Sequence, residues 1–204
     1  MQNLLKGLVI GFSIAAPVGP IGLLCIRRSI SDGRLAGFVS GLGAATADAV
    51  YGVVAALGLT AISTALLGHQ FWLQLGGGAF LVYLGLATMC ASPRPAGAAA
   101  PASAGTLRSA YFSIFALTLA NPMTILSFLG IFSGLGLGSD GAGAWSASAL
   151  VLGVFLGSAA WWLGLSSAAA WLGGRLRHGG LRTLHVGSGL VIAGFGAWQL
   201  ANLW

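Results

Sequence analysis

Acidic residues are what this 204-residue chain most lacks. Asp and Glu together number three, and charged residues of both signs make up 6% of the sequence, against roughly 25% in a soluble domain. A water-facing fold needs charge across its surface, so a soluble globular protein is excluded. Cysteine is almost absent too. Cys25 and Cys90 are the only two, and without CxxC or metal-ligand spacing they read as small buried apolar residues rather than a disulfide or a thiolate site. His69, His178 and His185 also lack metal-ligand spacing. There is no GxSxG elbow, no HExxH pair and no phosphate loop, and Ser166 and Ser167 have no base beside them. The chain is therefore read as a non-enzyme with no metal or cofactor. Its net charge of +6 is scattered over short connections, with no basic stripe or base-reading module, so no nucleic-acid partner is expected.

Hydrophobic residues make up 57% of the chain, and glycine contributes 34 positions without a collagen period. That level of glycine suits close helix packing in lipid. A spanning helix needs about 20 mainly apolar residues, and six stretches qualify, near 4–26, 37–61, 70–91, 110–135, 145–172 and 183–203. The first contains Pro17 and Pro20 and runs on to Ile26, so it reads as a span rather than a cleaved leader. The predicted fold is an all-α polytopic membrane protein with six transmembrane helices. Arg27, Arg28, Arg34, Arg94, Arg108, Arg175, Arg177 and Arg182 fall in the first, third and fifth connections, and Lys6 is the single exception. The positive-inside rule puts those connections in the cytoplasm and both termini outside. Trp72, Trp145, Trp198 and Trp204 lie near span ends, as interfacial aromatics should.

The segment 92–109 is rich in Pro, Ala, Gly and Ser and reads as a flexible cytoplasmic linker. It separates a first three-helix repeat, 1–91, from a second, 110–204. Three spans is an odd number, so the second half enters the membrane from the opposite side, giving a 3+3 inverted repeat. Each half carries a proline break in its first span, Pro17 with Pro20 in one and Pro122 after Asn121 in the other. Proline removes a backbone donor, and in lipid the freed carbonyls must face protein or a cavity. Matched broken helices are the best sequence pointer to a central binding site.

Asp48 stands nearly alone inside the second apolar stretch, and an ionisable group at that depth faces a protein interior or a water-filled path. It shares a helix face with Gly41, Ala44, Ala45 and Gly52. Its role is open between carrying a proton, engaging a cationic solute and tying helices together. Tyr51, one turn along, is a candidate hydrogen-bond partner. In the fifth stretch Trp161 or Trp162 is placed to cap the cavity or to meet an ammonium group. Gly33, Gly37 and Gly41 recur every four residues, as do Gly7 with Gly11, Gly153 with Gly157, and the trio Gly130, Gly134 and Gly138, giving small faces for close packing.

Two segments carry a family likeness. The run from Ala16 to Gly52, APVGPIGLLCIRRSISDGRLAGFVSGLGAATADAVYG, and the run from Leu119 to Phe132, LANPMTILSFLGIF, resemble the signatures of the lysine exporter family of bacterial amino-acid efflux proteins, which also includes homoserine/threonine exporters. The likeness extends to length, span number and central loop. By position it implies functional roles for Pro17, Gly19, Pro20, Asp48, Asn121 and Pro122, and a glycine ladder at Gly33, Gly37, Gly41 and Gly43. Two departures stand out: Val18 interrupts the family's commonest proline–glycine–proline run, and Met123 replaces its frequent lysine.

Together these features predict a secondary transporter of the bacterial inner membrane. It would export a small solute, an amino acid or derivative, by proton antiport, with protons, the bilayer and a possible homodimer mate as partners. The alternative is a membrane channel or a non-transporting structural membrane protein.

Overall fold

The computed structural model describes residues 2–56, 68–90, 103–121, 124–128, 144–175 and 178–202. Pro122, Met123, the glycines at 130, 134 and 138, the loop aspartate Asp140 and most of the predicted linker lie outside them. Among the described residues the chain is all helical. α1 is Gln2–Ala15, α2 Pro20–Ser31, α3 Arg34–Ala56, α4 Gln70–Cys90, α5 Ala104–Leu119, α6 Ala144–Gly173 and α7 His178–Ala201, and a further helical stretch covers 124–128. Segments of α3, α4, α6 and α7 are each long and apolar enough to cross a membrane, and α1 with α2 forms a fifth candidate bent by 84°.

Glycine decides how the helices meet. A Cβ on Gly7 would run into the Leu150 carbonyl, and one on Gly11 into that of Val154. Conversely, Gly153 and Gly157 sit against the carbonyls of Leu4 and Leu8. Residue numbers rise together on both sides, so α1 and α6 run parallel with backbones in direct contact, the close approach that small residues permit. α4 and α7 also meet on glycines but antiparallel: a Cβ on Gly85 would come 2.7 Å from the Gly189 carbonyl, and one on Gly196 the same distance from that of Gly78. α3 lies between α5 and α6. Gly41 meets Trp162 and Gly52 approaches Val154, so α3 is antiparallel to α6, whereas Gly43 meets Tyr111 and makes it parallel to α5.

α2 leaves the break at 84° to α1. Gly7 on α1 lies beside Gly153, and Ile30 on α2 packs against Gly173 at the far end of α6. Both short helices therefore touch α6, α1 between Leu150 and Gly157 and α2 at the far end. α2, α3, α5, α6 and α7 converge on a core that includes Leu24, Cys25, Ala45, Ile114, Trp162 and Ile192. The outward faces are also apolar, with Leu5, Val9, Leu152, Leu156, Leu190 and Val191 exposed. An apolar exterior of this kind has lipid as its solvent.

Three local expectations are corrected. Gly33 does not belong to the glycine face of α3; it sits in the connection before it with φ +93°, a conformation that L side chains rarely adopt. Arg27 and Arg28 are not loop residues but lie in the last turns of α2, where each guanidinium finds a partner. Arg27 Nη1 donates to Thr88 Oγ1 at 2.6 Å, while Arg28 donates to Ser40 Oγ, Ser113 Oγ and the Ala110 carbonyl at 3.0, 2.9 and 2.9 Å. α5 begins at Ala104 rather than 110, because Ser103 caps it by accepting from the Thr106 N–H at 3.3 Å.

Candidate functional site

The first break follows from proline chemistry. Ala16 N–H still reaches the Phe12 carbonyl, but neither Pro17 nor Pro20 has a donor to continue the ladder. The chain turns through Gly19, whose N–H bonds the Pro17 carbonyl at 3.0 Å, and restarts with Pro20 in the first turn of α2, where a missing N–H costs nothing. Gly19 has no side chain to cap that helix, and the positive end of α2 is left facing inward. The second break begins after α5. Asn121 N–H bonds the Thr118 carbonyl, and its own carbonyl accepts from Thr124 and Ile125 at the start of the 124–128 stretch.

A cavity of about 320 Å³ lies between these breaks. Pro17, Gly19 and Pro20 line one side, Asn121 and Thr124 another, and Asp48 a third. The structure thus brings five of the eight sequence-selected residues to one space. Asp48 is 3% exposed. Its Oδ2 accepts a hydrogen bond from Ser158 Oγ at 2.7 Å, and the same hydroxyl accepts from Trp162 Nε1 at 3.1 Å. This chain of donors fixes the carboxyl in a tight α3–α6 contact, as a buried polar group requires.

The other selected residues lie elsewhere. Tyr51 does not partner Asp48; its hydroxyl donates to the Leu119 carbonyl at the end of α5, satisfying a group freed by the second break. Trp161 turns away from the cavity and meets Phe12 edge-on, centroids 5.2 Å apart at 83°. Its neighbour Trp162 takes the cavity wall. Pro122 falls outside the described residues. Sequence reasoning missed Ser158, Thr118, Thr124 and Ser127. Ser158 carried a signal, a hydroxyl in the middle of a long apolar helix four residues before a tryptophan. The other three lie on either side of the Asn121 break, within a turn or two of it. No cluster of metal-ligating side chains occurs among the described residues.

Residues 12–202 match the family described as LysE type translocator. A protein of Bacillus subtilis (strain 168) named "Putative amino acid efflux protein YcgF" is 33% identical over 135 residues, covering 66% of this chain and 64% of that protein. An "Uncharacterized membrane protein YahN" of Escherichia coli (strain K12) is 28% identical over 144 residues, covering 70% and 64%. The chain thus spans just under two thirds of the length of these curated relatives. No solved structure matches it.

Proposed function

The chain belongs to the LysE type translocator family, and we propose that it exports a small zwitterionic solute, an amino acid or close derivative, in exchange for protons. The observation that carries this reading is the cavity that sets the Asp48 carboxyl between two broken helices. A carboxylate on one wall suits an ammonium group. The uncapped start of α2, with its outward-pointing N–H groups, suits a carboxylate. An α-amino acid carries both. The name of the Bacillus relative agrees with this substrate class.

In this mechanism the ionised Asp48 receives the solute's ammonium from the cytoplasmic side. A proton arriving from outside neutralises the carboxyl, removes the attraction and releases the solute outward. The protonated site then returns and gives its proton to the cytoplasm. A gradient acidic outside drives export because protonation and solute binding compete for one group. Ser158 and Trp162 hold the carboxyl in place, and Asn121, Thr118 and Thr124 supply hydrogen-bonding groups around the solute.

The architecture completing this reading is six crossings in two inverted halves, joined by the linker that ends at Ser103. It lies in the bacterial inner membrane with the arginine-bearing connections inside. The parallel α1–α6 and α3–α5 pairs and the antiparallel α3–α6 and α4–α7 pairs are the directions that six alternating crossings require. Tests use vesicles containing the purified protein and a panel of labelled amino acids. The expected result is accumulation against a gradient when the proton gradient is imposed, abolished by a protonophore. Downhill, unsaturable flux that ignores the proton gradient would make the protein a channel.

A further inference from the structure

A second cavity, of about 380 Å³, lies at the opposite end of α2 from the central one. Arg28, Asp32 and Ala36 form one side, and Gly105, Thr106 and Ser109 in the first turns of α5 form the other. Oppositely charged residues four apart on a helix ordinarily meet. Here they do not. The Arg28 guanidinium is turned inward onto Ser40, Ser113 and the Ala110 carbonyl, which uses three of its five N–H groups. Its Nε–H and the remaining Nη2–H make no hydrogen bond among the described residues, and neither does the Asp32 carboxylate. Asp32 is half-buried, and it is one of only three acidic residues in the chain. α5 begins at the same cavity, and its N-terminal turn adds partial positive charge on the side facing Arg28.

The space therefore has two unlike ends, a guanidinium edge beside a helix start and a carboxylate that makes no hydrogen bond among the described residues, within electrostatic reach of Arg27 and Arg28. We propose that it is the docking site at which the exported solute first binds, and that it takes a zwitterionic α-amino acid. The solute's carboxylate meets Arg28 and the first turn of α5, and its ammonium meets Asp32. The hydroxyls of Thr106 and Ser109, both on exposed residues, flank the bound molecule. This rests on the export reading above, because a docking site on the arginine-bearing face serves a solute that leaves the cell. It also gives the two ends of the pathway the same recognition chemistry: a carboxylate for the ammonium, and a helix start for the carboxylate.

The test reads occupancy without needing transport. Ser109→Cys is introduced in a Cys90→Ser background, since Cys90 is exposed and Cys25 is buried. Alkylation by an uncharged thiol reagent is then timed in inside-out vesicles with and without each amino acid. At least one free amino acid is expected to slow labelling severalfold, and its N-acetyl form, lacking the ammonium, to leave the rate unchanged. Adding Asp32→Asn should remove the protection, whereas adding Asp48→Asn should leave it intact. Equal labelling with and without every amino acid overturns the docking site, as does equal protection by free and N-acetylated forms. Export without protection sinks this site and leaves the transporter; protection without export does the reverse.

Discussion

Ser158 on α6 donates its hydroxyl proton to Asp48 on α3, Oγ to Oδ2 at 2.7 Å, while Trp162 donates into the same hydroxyl from one turn further along α6. The serine is thus a relay that orients the carboxyl from behind. Ser158→Ala should leave the Asp48 oxygen and the Trp162 N–H buried without partners, at a cost of about 1–3 kcal/mol. Thermal unfolding in detergent reads this directly. A melting temperature equal to that of the parent would show that the bond contributes nothing to the fold.

Asp48→Asn keeps an amide oxygen that accepts from Ser158, so the protein should fold and purify as the parent does. Export should nevertheless fall at least about tenfold, equivalent to about 1.4 kcal/mol in barrier. Any residual flux should no longer vary with pH, because the group that exchanges a proton is gone. Flux measured across a pH series in vesicles decides the matter. A normal rate with the parent's pH profile would remove Asp48 from the coupling step.

Two glycines on neighbouring helices should behave oppositely. At Gly11 a Cβ meets the Val154 backbone directly, whereas at Gly164 nothing lies within 4 Å. Gly11→Ala should force α1 off α6 and lower the yield and thermal stability of folded protein, by about 1–3 kcal/mol on the scale of overpacking. Gly164→Ala should be neutral or gain up to about 1 kcal/mol from helix propensity. Equal stabilities for the two variants would contradict the backbone contact between α1 and α6.

Ser103 is exposed at the start of α5, between Arg94 in the preceding connection and Arg108 in the second turn of the helix. With Cys90 replaced by serine, Ser103→Cys should react with a membrane-impermeant thiol reagent only after the cytoplasmic side is opened. Reaction in intact cells would turn the predicted topology over.

Features legible in the sequence were those written in the chemistry of a single residue. Pro17 and Pro20 have no N–H wherever they sit, so the first break was readable. Asp48 is conspicuous because almost nothing else in the chain is acidic. Features that depend on rotation were not legible. Trp161 and Trp162 point about 100° apart on one helix, and in so apolar a helix the one cue to which turns inward is faint: Ser158 and Ser166 lie a turn either side of Trp162. Tyr51 was one turn from Asp48 in sequence, yet its hydroxyl reaches the Leu119 carbonyl, a group whose need for a donor arises only where α5 stops. Arg27 and Arg28 looked like loop charges because the hydroxyls and carbonyl that receive them come from α3, α4 and α5.

The glycine contact between α1 and α6 also has a mechanical consequence. Carbonyls of each helix sit in the glycine notches of the other, so neither can slip along its neighbour without first lifting clear of it. The first span therefore has a half locked to α6 backbone against backbone and a half that reaches α6 through the Ile30 side chain, joined at residues 16–19 where no helix ladder runs. Movement in that span should concentrate at the joint, with α2 pivoting and α1 at rest. Spin labels on the exposed Leu5 and Leu152 should keep one separation in the presence and absence of solute, while a pair on Leu5 and the part-buried Ile26 of α2 should not. The reverse pattern would place the pivot elsewhere.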